Sequence, residues 1–335
     1  MMGVPSIAFF DAKPYDREYF NRLNDRYGFH ITYFDSKLSA ETAHISRDYD
    51  AVCAFVNDTI DAEVAASLKD GGVKLVALRC SGYNNVDISS LEPDIHVVRV
   101  PAYSPHAVAE YAVTLMLTLN RKTHRAFYRT RDNNFSLTGL VGFDMHGKTA
   151  GIIGTGKIGR ITAELLRGFG MRVLAHDLYP NHEWAMQHDV EYVDPSALYR
   201  QSDIISLHCP LTPENLYVIN KGTLSLMKPN VMIVNTGRGK LINSSDLLDA
   251  LKNRSIAGAA LDVYEEETQY FFEDHSQRIM EDDVLARLMT FPNVLVTSHQ
   301  AFFTHEALVN IADTTLENAR LFFEEGAMPN RVEAP

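Results

Sequence analysis

Polar side chains with complementary chemistry follow apolar segments in the second half of the chain. Arg238 stands between two glycines in Asn235–Gly239, after one such segment, and His299 follows the last segment. A third apolar segment lies between these two, and four acids follow it: Asp262, Glu265, Glu266 and Glu267. A guanidinium can clamp a carboxylate with two hydrogen bonds, and an imidazole oriented by a carboxylate can exchange a proton near neutral pH. We predict a hydride-transfer site in which Arg238 holds an anionic substrate, His299 gives or takes the hydroxyl proton, and a glutamate orients the imidazole.

Hydride transfer needs a redox cofactor, and a glycine-rich stretch predicts where it binds. The apolar run Thr149–Ile153 is followed by Gly154-Thr-Gly156-Lys-Ile-Gly159 and then by a helix-like segment to Leu166. This order is typical of a buried strand that turns into a helix around a pyrophosphate. We expect Gly154 to make the tight turn, Gly156 to let the phosphates approach, and Gly159 to let the helix pack closely on the strand.

The residues around this turn predict a preference for NAD. Backbone N–H groups near Lys157 and Ile158 would hold the phosphates at the helix N-terminus. Asp177 lies 18 residues after Gly159, at the end of the next strand, where a carboxylate can accept from the adenosine ribose hydroxyls. An acid there repels a 2′-phosphate, although neighbouring basic residues leave some NADP use open. Arg238, a glutamate and His299 could each be ordinary loop or strand-end residues. Because they accompany a cofactor motif, a joint catalytic role is the favoured interpretation.

The elements that must position these residues alternate between strands and helices through most of the chain. In the first hundred residues we predict strands at 6–10, 31–34, 51–56, 73–78 and 96–100, with helices at 15–27 and 62–68. A long helix is predicted over 106–131, and further strands near 149–153, 172–176, 203–207, 231–235, 256–261 and 293–297. The segment 265–283 predicts a solvated acidic loop pinned by Phe271 and Phe272.

This alternation indicates an α/β protein with two doubly wound parallel sheets. The apolar face of a final helix over 305–323 has no strand left to pair with, so we expect the helix to return to the first sheet. The prediction is a Rossmann NAD-binding domain, residues 104–299, inserted into a flavodoxin-like substrate domain, residues 1–103 and 300–335. Breaks at 70–72 and 81–85 fall at strand ends of the first domain, where open sheets of this kind bind ligands.

Composition excludes several other classes of protein. The chain has 335 residues, and its net charge of −12 argues against a nucleic-acid or anionic-membrane surface. No apolar run is long enough to cross a membrane, and the N-terminus lacks a signal-peptide pattern. Three cysteines, Cys53, Cys80 and Cys209, lie in apolar runs at no metal-like spacing. We predict a cytoplasmic protein with reduced cysteines and no metal site.

The chain resembles the D-specific 2-hydroxyacid dehydrogenases, most closely the fermentative D-lactate dehydrogenases of bacteria. Seven segments carry the resemblance along nearly the whole chain: 78–87, 100–105, 154–159, 207–215, 235–239, 261–267 and 297–303. The resemblance implies that Arg238 binds the substrate carboxylate and carbonyl, that Glu267 is the glutamate that pairs with His299, and that His299 is the acid in pyruvate reduction. The implied reaction is reversible hydride transfer between NADH and pyruvate, giving D-lactate.

The resemblance also implies the remaining contacts and the assembly. The backbone of Ser81 and Gly82 would hold the substrate carboxylate, and Tyr103, Phe302 and Phe55 would line a small side-chain pocket. The cofactor site would be completed by Cys209, Pro210, Asn215, Thr236, Gly237 and Asp262. The second domain would form a homodimer, which could pair further into a dimer of dimers, and the two domains would close over the cofactor.

Two positions depart from the family pattern, and other activities stay open. Tyr111 stands where many relatives have histidine, and Ser298 where many have proline before the catalytic histidine. The enzymatic alternatives are reduction of glyoxylate, hydroxypyruvate or a bulkier 2-oxoacid. A non-catalytic NAD-sensing corepressor shares the fold, but it would be expected to carry appended interaction tails.

Overall fold

The computed structural model describes residues 4–267 and 270–334. It divides the chain into two compact units. One contains the described residues up to Ser104 and again from Phe303, and the other contains Pro105–Phe302. None of the helices within the described ranges is both long and apolar enough to cross a membrane.

The first unit is built on a sheet whose central parallel strands are buried on both faces. Its first five strands are β1 (Ser6–Phe9), β2 (His30–Tyr33), β3 (Ala51–Ala54), β4 (Leu75–Leu78) and β5 (His96–Val98). The helices between them are α1 (Pro14–Asn24), α2 (Ala62–Asp70) and α3 (Ile88–Leu91), and a 3₁₀ turn covers Ala43–Ser46. The parallel strands lie in the order β2-β1-β3-β4-β5, and every residue of β3 and β4 is buried. Continuous apolar runs such as these are typical of strands covered on both faces.

The second unit contains a sheet of seven strands, all parallel. Its elements are α4 (Pro105–Arg121), α5 (Thr123–Arg131), β6 (Thr149–Ile153), α6 (Lys157–Gly168), β7 (Arg172–His176), α7 (His182–Gln187), β8 (Val190–Tyr192), α8 (Pro195–Gln201), β9 (Ile204–Leu207), α9 (Lys221–Leu224), β10 (Met232–Asn235), α10 (Ser244–Lys252), β11 (Gly258–Leu261), α11 (Asp283–Thr290) and β12 (Val294–Val296). Short 3₁₀ turns cover Pro213–Asn215 and Gly239–Leu241. The strand order is β12-β11-β10-β9-β6-β7-β8, so the direction of winding reverses between β6 and β9. Ligands of open α/β sheets bind outside the carboxyl ends of the strands at such a reversal.

Successive residues of the central strands pack into two different cores. On β9, Ile204 packs with helices α4 and α6, whereas Ile205 packs with α8 and α10. On β10, Val234 likewise packs in the core of α4 and α6, and Ile233 packs in the core of α8 and α10. The two-residue period of a strand therefore anchors both helical layers to the sheet. Two helical layers on a parallel sheet form the doubly wound architecture that was predicted, and the fold-class prediction is confirmed.

The chain then returns to the first unit. Helix α12 (His305–Arg320) packs on α1 and β4, and is followed by a π-helical turn, Leu321–Glu325, and by β13 (Arg331–Val332). Strand β13 pairs antiparallel with β5. The final helix therefore covers the first sheet as predicted, and the π-helical turn carries its helical structure past the predicted end at residue 323. The short strand β13 was not predicted, because two residues give no periodicity.

Two other predictions about the elements of the second unit were wrong or incomplete. The helix expected over 106–131 is broken at Lys122, whose φ of +51° is left-handed, so α4 and α5 are separate. The apolar stripe ends near Leu119, and α5 buries none of its residues, so nothing holds the two in register. The edge strand β8 was missed because it has only three residues.

Candidate active site

The predicted phosphate-binding turn is shaped by close backbone packing. Gly154 follows β6 with φ of +94°, and a Cβ there would lie 2.4 Å from the backbone nitrogen of Cys209. A Cβ on Gly159 would lie 1.9 Å from the carbonyl oxygen of Gly154, so α6 packs directly on the turn. A Cβ on Gly156 would meet nothing within 4 Å. Two glycines therefore allow tight packing, and the third leaves open space where a phosphate could approach.

The surroundings of this turn fit a dinucleotide. Gly156 is the N-cap of α6 and offers no side-chain cap, which leaves the first N–H groups of the helix, including those of Lys157 and Ile158, for an anion. Cys209, Pro210 and Asn215 follow β9, the strand beside β6, and burial raises the pKa of the Cys209 thiol to about 11. Thr236 and Gly237 follow β10. Within the described residues the buried Oγ1 of Thr236 has no hydrogen-bond partner, as expected for a group that awaits a ligand.

Asp177 lies directly after β7 with its carboxylate partly engaged by the turn. It accepts from the backbone nitrogen and Oγ1 of Thr155, at 2.5 and 3.0 Å, and from the Tyr179 N–H at 2.8 Å. Burial alone would raise the pKa of Asp177, but these hydrogen bonds outweigh it and hold the pKa below its usual value. A negative charge therefore stands beside the glycine-rich turn at neutral pH.

Arg238 lies on a turn that Asn235 braces from inside. The side chain of Asn235 is fully buried, accepts from the Gly237 N–H at 3.0 Å and donates to the Arg238 carbonyl at 2.9 Å. The guanidinium of Arg238 donates to the Gly237 carbonyl at 2.8 Å. In the part of the chain that the structure describes, no acid lies within ion-pair distance of Arg238. This cation is therefore available for an anionic ligand.

The three consecutive glutamates after β11 have different partners. Glu265 accepts from the Tyr217 hydroxyl and, at 3.1 Å, from the Ser244 N–H, so it ties together neighbouring loops. Glu266 is exposed and lies 3.9 Å from the ammonium of Lys240. Only Glu267 contacts His299 among these three. Spacing left the choice between the three acids open, and the contact agrees with the one that the family resemblance implied.

The Glu267 carboxylate fixes the imidazole of His299. Its Oε1 lies 2.9 Å from Nδ1 of His299, and its Oε2 accepts from the Tyr264 N–H at 2.9 Å. Because an ionised carboxylate only accepts, Nδ1 carries a proton and Nε2 is the ring nitrogen left for a reacting group. The two side chains are only 15% and 17% exposed, which strengthens their attraction relative to a pair in water.

An aromatic side chain that the sequence did not assign to the site lies beside this pair. The ring of Phe272 is 5.8 Å from the His299 ring, at 37° to it, while Phe271 is buried in the core. The acidic loop is thus pinned by these two aromatics, as predicted, although its residues 268 and 269 lie outside the described residues. The paired phenylalanines were the available signal for a contact with the site, but their sequence position did not reveal which ring would reach His299.

The side chain of Asp262, which was predicted as a cofactor contact, is hydrogen-bonded to neighbouring residues of the protein. It is fully buried, and its carboxylate accepts from Thr297 Oγ1, Gln300 N and Ala301 N at 2.6 to 2.9 Å. Its carbonyl oxygen accepts the His299 N–H at 2.7 Å. The structure therefore brings Asp262 to His299 through the backbone, and its carboxylate is not directed to an open surface.

The substrate-binding residues predicted in the first unit follow three neighbouring strands. Phe55 follows β3, Ser81 and Gly82 follow β4, and Tyr103 follows β5, which places them toward the carboxyl edge of the sheet. Phe55 is buried, and Phe302, the last residue of the second unit, is buried as well. The Ser81 carbonyl accepts from the Arg99 guanidinium at 2.8 Å, and the Tyr103 carbonyl accepts from the Asn310 side chain at 2.6 Å.

Comparison with known proteins places this arrangement in a family. Residues 113–301, more than half of the chain, match the family model described as D-isomer specific 2-hydroxyacid dehydrogenase, NAD binding domain. The chain belongs to the D-isomer specific 2-hydroxyacid dehydrogenase family. The predicted resemblance is thereby confirmed, as is NAD as the cofactor of the matched domain. Members of this family are NAD-dependent oxidoreductases.

Relatives of this D-isomer specific 2-hydroxyacid dehydrogenase match along almost the whole chain. D-lactate dehydrogenase of Escherichia coli K12 is 51% identical over 327 residues, which is 97% of this chain and 99% of that protein. The apo-structure of D-lactate dehydrogenase from Escherichia coli superposes with a TM-score of 0.89 at 49% identity, over 98% and 99% of the two chains. An NAD-complexed relative from Lactobacillus delbrueckii ssp. bulgaricus gives a TM-score of 0.82 at 28% identity, over 98% and 100%.

A single methyl group at Gly159 should damage the cofactor site. We expect Gly159→Ala to push α6 away from the Gly154 carbonyl and to weaken NADH binding by at least about tenfold, or about 1.4 kcal/mol. NADH fluorescence titration measures the affinity, and thermal unfolding measures stability. Gly168→Ala is the matched control, because position 168 lies in the same helix with open space around it. Unchanged NADH affinity in Gly159→Ala would contradict the assignment of this turn.

Proposed function

We propose that this family member is an NAD-dependent D-lactate dehydrogenase that reversibly transfers hydride between NADH and pyruvate. The observation that carries the proposal is the Glu267–His299 pair, with Arg238 after the neighbouring strand of the same parallel sheet. These residues follow β11, β12 and β10, which are neighbours in the order β12-β11-β10. The near-complete match to a relative named D-lactate dehydrogenase supports pyruvate and D-lactate as the reactants.

The chemistry assigns each of the three residues one task. Reduction of pyruvate adds a hydride to the carbonyl carbon and a proton to the carbonyl oxygen. NADH, when bound, supplies the hydride. His299 delivers the proton from Nε2, because its Nδ1–H stays on Glu267, whose charge stabilises the imidazolium before transfer. Arg238 binds the substrate carboxylate and polarises the carbonyl. Oxidation of D-lactate reverses these roles.

The first unit is assigned the substrate carboxylate and the small side chain. No acceptor within the described residues takes the backbone N–H of Ser81 or Gly82, and two adjacent N–H groups suit a carboxylate oxygen. We also assign Tyr103, Phe55 and Phe302 as contacts of the substrate side chain.

The decisive experiment is a specificity profile with stereochemical analysis of the product. Purified protein is assayed with pyruvate, 2-oxobutyrate, phenylpyruvate, glyoxylate and hydroxypyruvate, each with NADH and NADPH. We expect the highest kcat/KM for pyruvate with NADH, since the charge of Asp177 disfavours a 2′-phosphate, and we expect D-lactate as the product. L-lactate, or no turnover with any 2-oxoacid, would refute the proposal, and a higher kcat/KM for glyoxylate or hydroxypyruvate would reassign the substrate.

Removal of the imidazole should separate chemistry from cofactor binding. We expect His299→Ala to lower kcat by a factor on the order of 10² to 10⁴, the usual contribution of a general acid, with the Kd for NADH nearly unchanged. Stopped-flow or steady-state kinetics gives kcat, and fluorescence titration gives the Kd. His44→Ala, at an exposed histidine of the first unit, is the control. If NADH binding is lost together with turnover, His299 is structural.

We infer that the second unit forms a homodimer through the segment between α5 and β6 and the end of α5. This region exposes several large apolar side chains: Phe127, Tyr128, Phe135, Leu137 and Val141. Leu137 and Val141 are 80% and 83% exposed, and a concentration of such residues on a surface marks an interaction site. No disulfide joins Cys53, Cys80 and Cys209 within the described residues, which suits the reducing cytoplasm that we also propose.

Light scattering coupled to size-exclusion chromatography tests the dimer. We expect the wild type to elute with twice the mass of the chain, or four times if dimers pair. The double substitution of Phe135→Ser with Leu137→Ser should shift the protein toward monomer at low micromolar concentration. Met186→Ser, at an apolar residue of α7 that is equally exposed, should leave the mass unchanged. A monomeric wild type would disprove the inferred assembly.

A further inference from the structure

His299 is held in a backbone conformation that residues with side chains rarely adopt. Its φ is +53°, in the left-handed region. A residue other than glycine keeps such a conformation only when its surroundings hold it there.

The surroundings that hold this turn converge on Asp262. Four hydrogen bonds run from the 297–301 segment to this one residue, three to its carboxylate and one to its carbonyl. The Thr297 bond, at 2.6 Å, is the shortest of them. Because Asp262 follows β11, it ties the end of β12 to the same strand end from which Glu267 reaches His299.

We propose that Thr297 is a positioning residue for His299, acting through the Asp262 carboxylate. The Thr297–Asp262 hydrogen bond keeps residue 299 in its left-handed conformation, and this aims Nδ1 at Glu267 and leaves Nε2 for the substrate. The catalytic consequence rests on the proposed function of His299, whereas the structural consequence does not.

The test compares a variant that lacks the Thr297 hydroxyl with one that keeps it. We expect Thr297→Val, which has nearly the same shape, to lower kcat by about tenfold while the Kd for NADH changes less than twofold. Thr297→Ser should restore most of kcat because it keeps the hydroxyl. Tyr199→Phe and Thr315→Val are the controls, since both remove buried hydroxyls that bond only backbone carbonyls.

Crystal structures of the variants give a readout that does not depend on turnover. In Thr297→Val we expect residue 299 to leave the left-handed region or the Nδ1 to Glu267 distance to exceed hydrogen-bond range, whereas Thr297→Ser keeps both. If Thr297→Val retains the wild-type kcat and the wild-type turn, the proposal is overturned. Equal losses of kcat and of NADH affinity would also overturn it. Inactivity of the wild type with every 2-oxoacid would instead refute the proposed function, and the structural comparison would still decide the role of Thr297.

Discussion

The contact between Glu267 and His299 is the interaction on which the rest of the site depends. A carboxylate with one oxygen on an imidazole and the other on a backbone N–H cannot rotate without losing a hydrogen bond. It therefore fixes both the ring orientation and the ring nitrogen that carries the proton. The sheet must then hold the ends of β11 and β12 in a fixed relative position. The parallel register between these neighbouring strands provides this.

Glycine makes that accuracy possible where backbones must nearly touch. A Cβ on Gly239 would lie 2.0 Å from the Tyr264 carbonyl oxygen, so the Arg238 turn rests directly against the backbone that precedes Glu267. The Gly154 turn rests in the same way against Cys209. In both places a side chain would separate two strand ends that must act together. Gly239 therefore does more than free the backbone of Arg238 to turn inward.

The sequence predicted the architecture well because apolar runs and their spacing report strands and helices directly. It also pointed to Arg238, His299 and the glycine-rich turn as candidates, which stay predictions, since residue types at strand ends carry chemical meaning by themselves. It did not show that the carboxylate of Asp262 is turned inward, or that His299 adopts a positive φ. These properties arise from hydrogen bonds between residues that are up to 39 positions apart, such as Asp262 and Ala301. The helix break at Lys122 was also missed. The basic residues after it are as compatible with a helix as those before it, and only the end of packing against the sheet marks the break.

Each unit has an arginine near the end of a central strand, and the two arginines have different surroundings. In the first unit the guanidinium of Arg79 is buried between the rings of Phe9 and Phe55, 4.6 Å from each, and donates to the Asp11 carbonyl. It lies 3.5 Å from the Asp16 carboxylate, and a buried charge of this kind is tolerated only when it is paired and hydrogen-bonded. Arg79 is thereby excluded as a substrate clamp although it stands at the end of β4. Arg238 has a similar position in its sheet, but its guanidinium donates to the Gly237 carbonyl and has no carboxylate partner among the described residues. Pairing with other groups of the protein, more than position in the sequence, therefore distinguishes Arg79, which stabilises the fold, from Arg238, which can bind a substrate.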